Sequence, residues 1–570
     1  MLKRDINALA SKEYDLVVVG GGIFGVCAAW DAALRGLSVA ILEKKDFSHA
    51  TSANHLKMVH GGIRYLQHGD IPRIRESSRE RSALLRIAPH LVKPLPIVIP
   101  TYGYGMKGKL LLGTGMLIYD LITLDRNHKL LSDRKIPHGR LISRQEVLNM
   151  FPELEVKGLT GGALFCDGQI YNPPRLALSF LRSAVSEGAD AANYVEVKGF
   201  LRKNNRINGV TAQDMLSGDV FEVRSRMTLN AAGSWGHRLL AAYLGLEVQP
   251  RPSFSRDLAF VIKRRFRHDY ALAFPSKSKD ADSLVDRGGR HFFTAPWRQF
   301  TLVGVWHRVF DGPLEEITVT EAELQDYIAQ INAAFPALRI NYDDITMVYT
   351  GLTLFGDDHE QASDSISFGK RSMLIDHGKE HGLEGLITLI GVRATTARGM
   401  AEKSIDLVLR YLGKSFTKSK TQTTPIFGGQ IDSLQQLISE AIQKRPPGVA
   451  PEQIEALVYN YGTQYHRIFE YVADRSKLDT GPVDSILCKA EISHAVREEM
   501  ANKLGDVVFR RTDLASGGSP GKAIIESYAK WMAEEMQWDS QRREKEVEEV
   551  LSHLTAPWTA RLRQGQADLL

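Results

Sequence analysis

Hydrophobic residues first gather at 14–19 (YDLVVV), a short β-branched run that reads as a buried strand and leads without a break into GGGIFG at 20–25. Ala28 to Leu34 then read as a helix, and LSVAILEK at 37–44 reads as a second strand. A long polar stretch, DFSHATSANHLKMVHGGIRYL, follows at once. Further on, 103–124 (GYGMKGKLLLGTGMLIYDLITL) places Lys107 and Lys109 before an apolar run. That pattern suits either a helix lying in a membrane interface or a core helix. TKSKTQTT at 417–424 reads as a polar linker into a helical C-terminal part, where SQRREKEVEEV at 540–550 has the pattern of a solvated helix face. No run approaches the roughly 18 to 20 apolar residues needed to span a bilayer, so any membrane contact is expected to be peripheral.

The first strand, turn, helix, second strand and acid together make a nucleotide signature. Gly20, Gly22 and Gly25 have GxGxxG spacing, in which one glycine permits the tight turn, one lets backbone N–H groups approach a pyrophosphate, and one allows close helix-to-strand packing. Ile23 and Phe24 fill the turn, and Glu43, eighteen residues after Gly25, is placed to accept hydrogen bonds from a ribose diol, with Lys44 beside it. The polar loop that follows favours FAD over a nicotinamide. FAD lies extended, so the chain must run back along the pyrophosphate and present small polar groups such as Thr51, Ser52 and Asn54, then Leu56, toward the isoalloxazine.

The bulk numbers agree. At 570 residues the chain predicts roughly three to four structural units, with room to bury a large cofactor. Apolar content of 43% and 24% charged residues indicate a soluble globular protein, and a net charge of +5 is too weak a bias to argue for nucleic acid. Three scattered cysteines, Cys27, Cys166 and Cys488, suggest a reducing compartment and neither a disulfide framework nor a metal cluster. The N-terminal residues carry no secretion signal, so a cytoplasmic location is expected, with association on the cytoplasmic face of a membrane left open.

Several blocks, in order, carry a family resemblance: GGGIFG, ATSANHLKMVHGGIRYL, DGQIYNPPRLALSFL, NYVEV, NAAGSWG and GVRATTARGMAE, then LVYNYGTQ, ILCKAEISHAVREEMANKLGDVVFRRTDL and MQWDSQRREKEVEEV. Together they resemble the FAD-dependent glycerol-3-phosphate dehydrogenase family, within the amino-acid-oxidase-like flavoproteins, over roughly residues 14 to 555. The resemblance implies an α/β plus α fold: a Rossmann-like, p-hydroxybenzoate-hydroxylase-like FAD domain, an inserted antiparallel-sheet substrate domain and a C-terminal helical domain. On this chain those are expected as FAD-binding parts at 1–102, 161–250 and 361–416, an insertion at 103–160, a substrate domain at 251–360 and the helical domain at 425–570.

It also implies hydride transfer from a secondary alcohol to flavin N5, with electrons passed to quinone or oxygen, a small anionic substrate, and a homodimer among the expected partners. Metal is not expected. Cofactor contacts are implied at Val197, Ala232, Gly233 and Trp235, and at Gly391, Arg393, Ala394, Thr395 and Thr396. In the HGGIRY segment His60, Gly61 and Gly62 are expected at the flavin edge, with Arg64 and Tyr65 facing substrate.

The chain departs from the family at its substrate-side motifs. A family arginine in a YSGVRPL-type segment becomes Thr353, a GTTD-like strand end after Pro296 and Trp297 becomes GVWH ending in His307, and the family lysine of GGKLTT becomes Arg393. DDARL becomes YNPPRL, with Tyr171, Asn172 and Pro173 read here as part of a rebuilt substrate end. Lys370 and Arg371 lie where another family arginine is expected. Catalytic candidates are therefore His60, Arg64, Tyr65, His307, Lys370 and Arg393, with His291 a further candidate base. The alternatives are oxidation of an amine or amino acid, as the wider superfamily performs, and a flavin-binding protein that has lost activity.

Overall fold

The computed structural model describes residues 1–103, 109–248, 252–266, 268–275, 291–314, 317–355, 371–475 and 483–554. Its first sheet is built on Glu13–Val19, whose neighbours are the parallel strands Val39–Glu43 and Val220–Asn230. The order continues outward through Asp190–Asn193 on one side, and Leu386–Ile390 and Met373–Asp376 on the other. The apolar run is continuous because both faces are covered. Leu16, Val18, Val39 and Ile41 pack on helices Ile23–Leu34, Pro173–Ser186 and Ala397–Leu412. The alternate residues Val17, Val19, Ala40 and Leu42 pack on the antiparallel strands Val195–Lys203 and Arg206–Asp214. This two-residue alternation sends successive side chains into two different cores.

Among the described residues the second sheet has nine strands, all antiparallel except where Ala271–Pro275 meets Val92–Tyr102. Its order is Ile345–Phe355, Ser253–Ile262, Phe300–Phe310, His291–Trp297, Ala271–Pro275, Val92–Tyr102, Leu159–Ile170 and Met58–Val59, with Arg140–Ile142 also on Leu159–Ile170. Four of these strands come from outside 251–360, so the sheet is assembled from segments far apart in the chain. Helix Glu321–Ala334, started by a Thr320–Glu323 capping box, covers one face through Leu324, Tyr327 and Ile331. The other face looks toward the first sheet.

The C-terminal part, with helices from Leu434–Gln443 to Ser540–Leu554, is joined to the first sheet and its helices through buried charge. Asp46, just past the second strand, has no exposed side-chain surface and receives Arg510 Nε at 2.6 Å and both Arg511 Nη groups at 2.8 Å. Arg175 and Arg182, on the helix after Pro173, meet the buried Glu499 in the same way.

The YNPP segment belongs to this joint. Asn172 caps helix Pro173–Ser186, with its Oδ1 accepting from the Arg175 N–H. Tyr171 OH and Asn172 Nδ2 donate to Asp513, and the Tyr171 ring stacks on Tyr459 at 4.6 Å. Trp297 Nε1 and Arg298 donate to the Tyr171 carbonyl. Reading Tyr171, Asn172 and Pro173 as a rebuilt substrate end is therefore corrected: this segment docks the helical domain, and neither it nor Pro296 and Trp297 line the large cavity.

Burial alone would push the Asp46 carboxyl up, but Arg511 and Arg510 outweigh it and hold it below the usual carboxylate range. A depressed carboxyl contributes stability that is present above its unfolded value near about 3.9 and is lost as pH falls through the folded value. Arg511→Ala, which leaves that acid under-compensated, is expected to cost about 3–5 kcal/mol in denaturant unfolding at neutral pH, with the deficit shrinking below about pH 4. A loss under about 1 kcal/mol would contradict this reading of the joint.

Candidate functional site

A single cavity of about 1060 Å³ runs from the end of Glu13–Val19 to the inner face of the antiparallel sheet. At its nucleotide end the backbone leaves no room for side chains. Gly20 has φ +106°, and a Cβ there would stand 2.7 Å from the Ala231 carbonyl oxygen. A Cβ on Gly25 would stand 1.9 Å from the Gly20 carbonyl oxygen, so this glycine lets helix Ile23–Leu34 start directly on the strand end. Gly25 acts from behind and does not line the cavity; Gly20, Gly22, Ile23 and Phe24 do.

Glu43 accepts from the Gly21 N–H at 2.7 Å and from the Lys45 N–H at 3.0 Å, one bond to each carboxylate oxygen. A second lone pair on each oxygen suits the two hydroxyls of a ribose. Ser52 Oγ accepts from the Ile23 N–H at 3.0 Å, fastening the polar loop to the helix N-terminus where a pyrophosphate sits. Lys44 lies 4.6 Å from the Trp235 ring centre, and with Val197, Ala232 and Gly233 these residues close the nucleotide end. Thr51, Asn54 and Leu56 continue the wall, with Thr51 Oγ1 donating to the Leu352 carbonyl of the second sheet.

Gly391, Arg393, Ala394 and Thr395 form the facing wall, just ahead of the sixteen-residue helix Ala397–Leu412, whose first turn carries no acid. Such a helix N-terminus would favour negative charge on a group bound in the cavity. Thr396 does not line the cavity; its hydroxyl donates to the Arg393 carbonyl at 3.2 Å and shapes the turn. The Thr395 hydroxyl accepts from the His60 N–H at 3.1 Å, joining two segments that line the cavity. Glycine cradle, helix N-terminus and ribose acid form one continuous path, and its donor set fits FAD.

His60, Gly62, Arg64 and Tyr65 line the cavity, whereas Gly61 does not. The HGG turn has a cause the sequence did not display. The Gly61 N–H donates to Asp167 at 2.7 Å, its carbonyl accepts from Tyr119 OH at 2.8 Å, and a Cβ on it would stand 2.1 Å from Arg81 Nη1. Arg81 is fully buried and itself donates to Asp167 at 2.7 Å. Gly62, at φ +89°, then turns the chain into the helical segment Ile63–His68 that carries Arg64 and Tyr65. The buried charge behind the turn thus requires a glycine at 61.

Two further groups of polar side chains line the cavity. One gathers about Tyr65: Arg64, Arg73, Arg371 and Arg393, with the Arg73 and Arg393 guanidinium carbons 4.7 Å and 4.8 Å from the Tyr65 ring centre, and with Asp70 and Asp167 also in the lining. Burial, and then repulsion from Arg393, push Arg73 below the ordinary arginine value. The other lies on strands of the antiparallel sheet: His291, His307, Thr353 and Asp257. Lys370 lies outside the described residues. Asp257 and Arg73 escaped sequence reading because each sits inside an ordinary-looking strand or helix, and only the packing brings them to the cavity. Among the described residues, no group of His, Cys, Asp and Glu side chains is arranged to hold a metal ion.

Residues 15–400 match the family model of FAD-dependent oxidoreductases, and 419–543 match the C-terminal domain of alpha-glycerophosphate oxidase. The chain is 31% identical to the glycerol-3-phosphate dehydrogenase of Synechocystis sp., covering 97% of this chain and 98% of that protein. It is 29% identical to the aerobic glycerol-3-phosphate dehydrogenase of Bacillus subtilis, covering 96% of each. The fold superimposes on the glycerol-3-phosphate dehydrogenase of Bacillus halodurans complexed with FAD with a TM-score of 0.75 at 23% identity, covering 97% of both chains. With the cradle, the two sheets and the helical domain all in place, this chain is an FAD-dependent oxidoreductase and belongs to the glycerol-3-phosphate dehydrogenase family.

Proposed function

We propose that the enzyme oxidises the secondary alcohol of glycerol 3-phosphate, or of a closely related small anionic polyol or hydroxy acid, and that its electrons leave to a quinone. The observation that carries this reading is the pair of polar clusters in the cavity lining, arginines about Tyr65 and a histidine–carboxylate pair on the antiparallel sheet. FAD, when bound, supplies the hydride acceptor at N5. Arg64 and Arg393 hold the anionic group of the substrate, and Arg393 offers a planar fork in place of a lysine point charge. Tyr65, flanked by two guanidinium groups, keeps that fork in place. The substrate's carbinol then points to the histidine–carboxylate pair, where its proton is taken.

Helix Lys109–Ile122 supports a quinone as acceptor. Its inner side buries Met116 and Tyr119, while Leu117, Ile118, Leu121 and Leu124 form an outward ridge that is 66%, 43%, 66% and 68% exposed. An apolar ridge on a half-buried helix suits peripheral docking on a lipid surface, where a quinone is found. Among the described residues, no helix is long and apolar enough to cross a membrane.

Under anaerobic conditions glycerol 3-phosphate is expected to bleach the visible flavin absorbance, and Arg393→Ala to weaken its binding about 10- to 100-fold while keeping FAD. If no phosphorylated or carboxylated alcohol bleaches the flavin, the reading fails. In vesicle sedimentation the wild-type protein is expected in the lipid pellet and a Leu117→Asp/Leu121→Asp variant in the supernatant. Wild-type protein that stays in the supernatant would overturn the membrane assignment.

A further inference from the structure

Three neighbouring strands set a row of polar side chains across the inner face of the antiparallel sheet. Asp257, on Ser253–Ile262, pairs directly across the ladder with His307 on Phe300–Phe310. Ser255, two residues earlier on the same face, pairs with Thr353 on Ile345–Phe355. One residue beyond Asp257 the ladder with Phe300–Phe310 shifts register between Leu258 and Ala259, and both of these consecutive residues line the cavity. A bulge beside a functional wall is a common way to aim side chains.

The Asp257 carboxylate accepts three hydrogen bonds. They come from His307 Nδ1 at 2.6 Å, from Ser255 Oγ at 2.8 Å and from Thr353 Oγ1 at 2.8 Å. With its Nδ1 proton given to a carboxylate, a neutral imidazole has Nε2 as its acceptor, which is the tautomer a general base needs. Thr353 also acquires a role here. Where the family resemblance leads one to expect an arginine, a threonine keeps one donor to Asp257 and adds no competing positive charge beside the histidine.

His60 lacks this arrangement. Its Nδ1 stands 3.8 Å from Asp167, whose other oxygen is taken by Arg81 and the Gly61 N–H.

We propose that Asp257 is a positioning residue that fixes His307 as the proton acceptor for the substrate carbinol, with Ser255 and Thr353 holding the carboxylate. This rests on the reading of the cavity as an alcohol dehydrogenase site. In the step, the carbinol C–H bond breaks and its hydrogen leaves with two electrons to the bound FAD. The O–H bond breaks and its proton passes to His307 Nε2, while the carbon–oxygen single bond becomes the carbonyl of the product. Asp257 balances the positive charge that appears on the imidazole, so the proton leaves the substrate without an unpaired charge on this wall. The anionic end of the substrate must then lie among the arginines, because a phosphate beside Asp257 would meet like charge.

The test compares the limiting rate of anaerobic flavin reduction with substrate Kd in the wild type, Asp257→Asn, His307→Gln and the double variant. An asparagine can donate to Nδ1 and so favours the wrong tautomer. Asp257→Asn is expected to slow reduction about 100-fold or more with Kd within about threefold. The double variant is expected to be no slower than His307→Gln, since the two residues act as one unit. A rate within about threefold of wild type, a loss that lies in Kd, or multiplicative losses in the double variant would overturn the proposal.

Should Asp257→Asn purify without flavin, Ser255→Ala/Thr353→Val strips two donors from the same carboxylate. It is expected to slow reduction at unchanged Kd, and an unchanged rate there overturns the proposal equally. If the wild-type flavin is reduced by no alcohol, the function fails instead, which separates the two claims.

Discussion

The site depends on a carboxylate that cannot be left alone. Asp167 and Arg81 meet at 2.7 Å with side chains 5% and 0% exposed, and taking both charges out of water is costly unless each finds further partners. Arg81 also donates to the Cys166 carbonyl, while Asp167 takes the Gly61 N–H. The turn from His60 to Tyr65 gives the carboxylate its backbone donor, and it delivers His60, Arg64 and Tyr65 to the cavity. Tyr119 adds the last bond, so the helix with the exposed apolar ridge is fastened to the same turn.

The same constraint recurs where distant segments must be joined. Asp46 draws Arg510 and Arg511 onto the end of the nucleotide strand, and Glu499 draws Arg175 and Arg182 from the helix after the YNPP segment. Asp257 differs in two respects: its partners are local to the sheet, and it lies at the cavity wall. Buried acids that join domains are satisfied by arginines, which fix geometry and do not titrate. Asp257, at the cavity, is instead held by hydroxyls and a histidine, which can move a proton.

The cofactor end was legible because its physics is local. A strand, a glycine turn, a helix and an acid at fixed spacing report the same cradle wherever they occur, and Gly20, Gly22 and Glu43 stand where that spacing implies. The substrate wall was only half legible. His307 and Thr353 stood out as departures from a family pattern, but the residue that connects them, Asp257, lies in SFSRDLAFVI, where nothing in the local pattern distinguishes it from a solvent-facing acid. Cross-strand pairing is what joins the three, and it spans some fifty residues on one side and almost a hundred on the other. Tyr171 and Asn172 misled in the opposite way, since a changed motif was taken for changed chemistry when its cause was a partner more than three hundred residues away.

The central claim is one of orientation: anion against the arginines, carbinol against the histidine held by Asp257. The most direct measurement is a crystal structure of the dithionite-reduced holoenzyme with glycerol 3-phosphate bound. The account predicts phosphate oxygens on Arg64 and Arg393 and the C2 hydroxyl oxygen within hydrogen-bond distance of His307 Nε2. A phosphate lying against His307 and Asp257, or a C2 hydroxyl bonded to His60 instead, would contradict it.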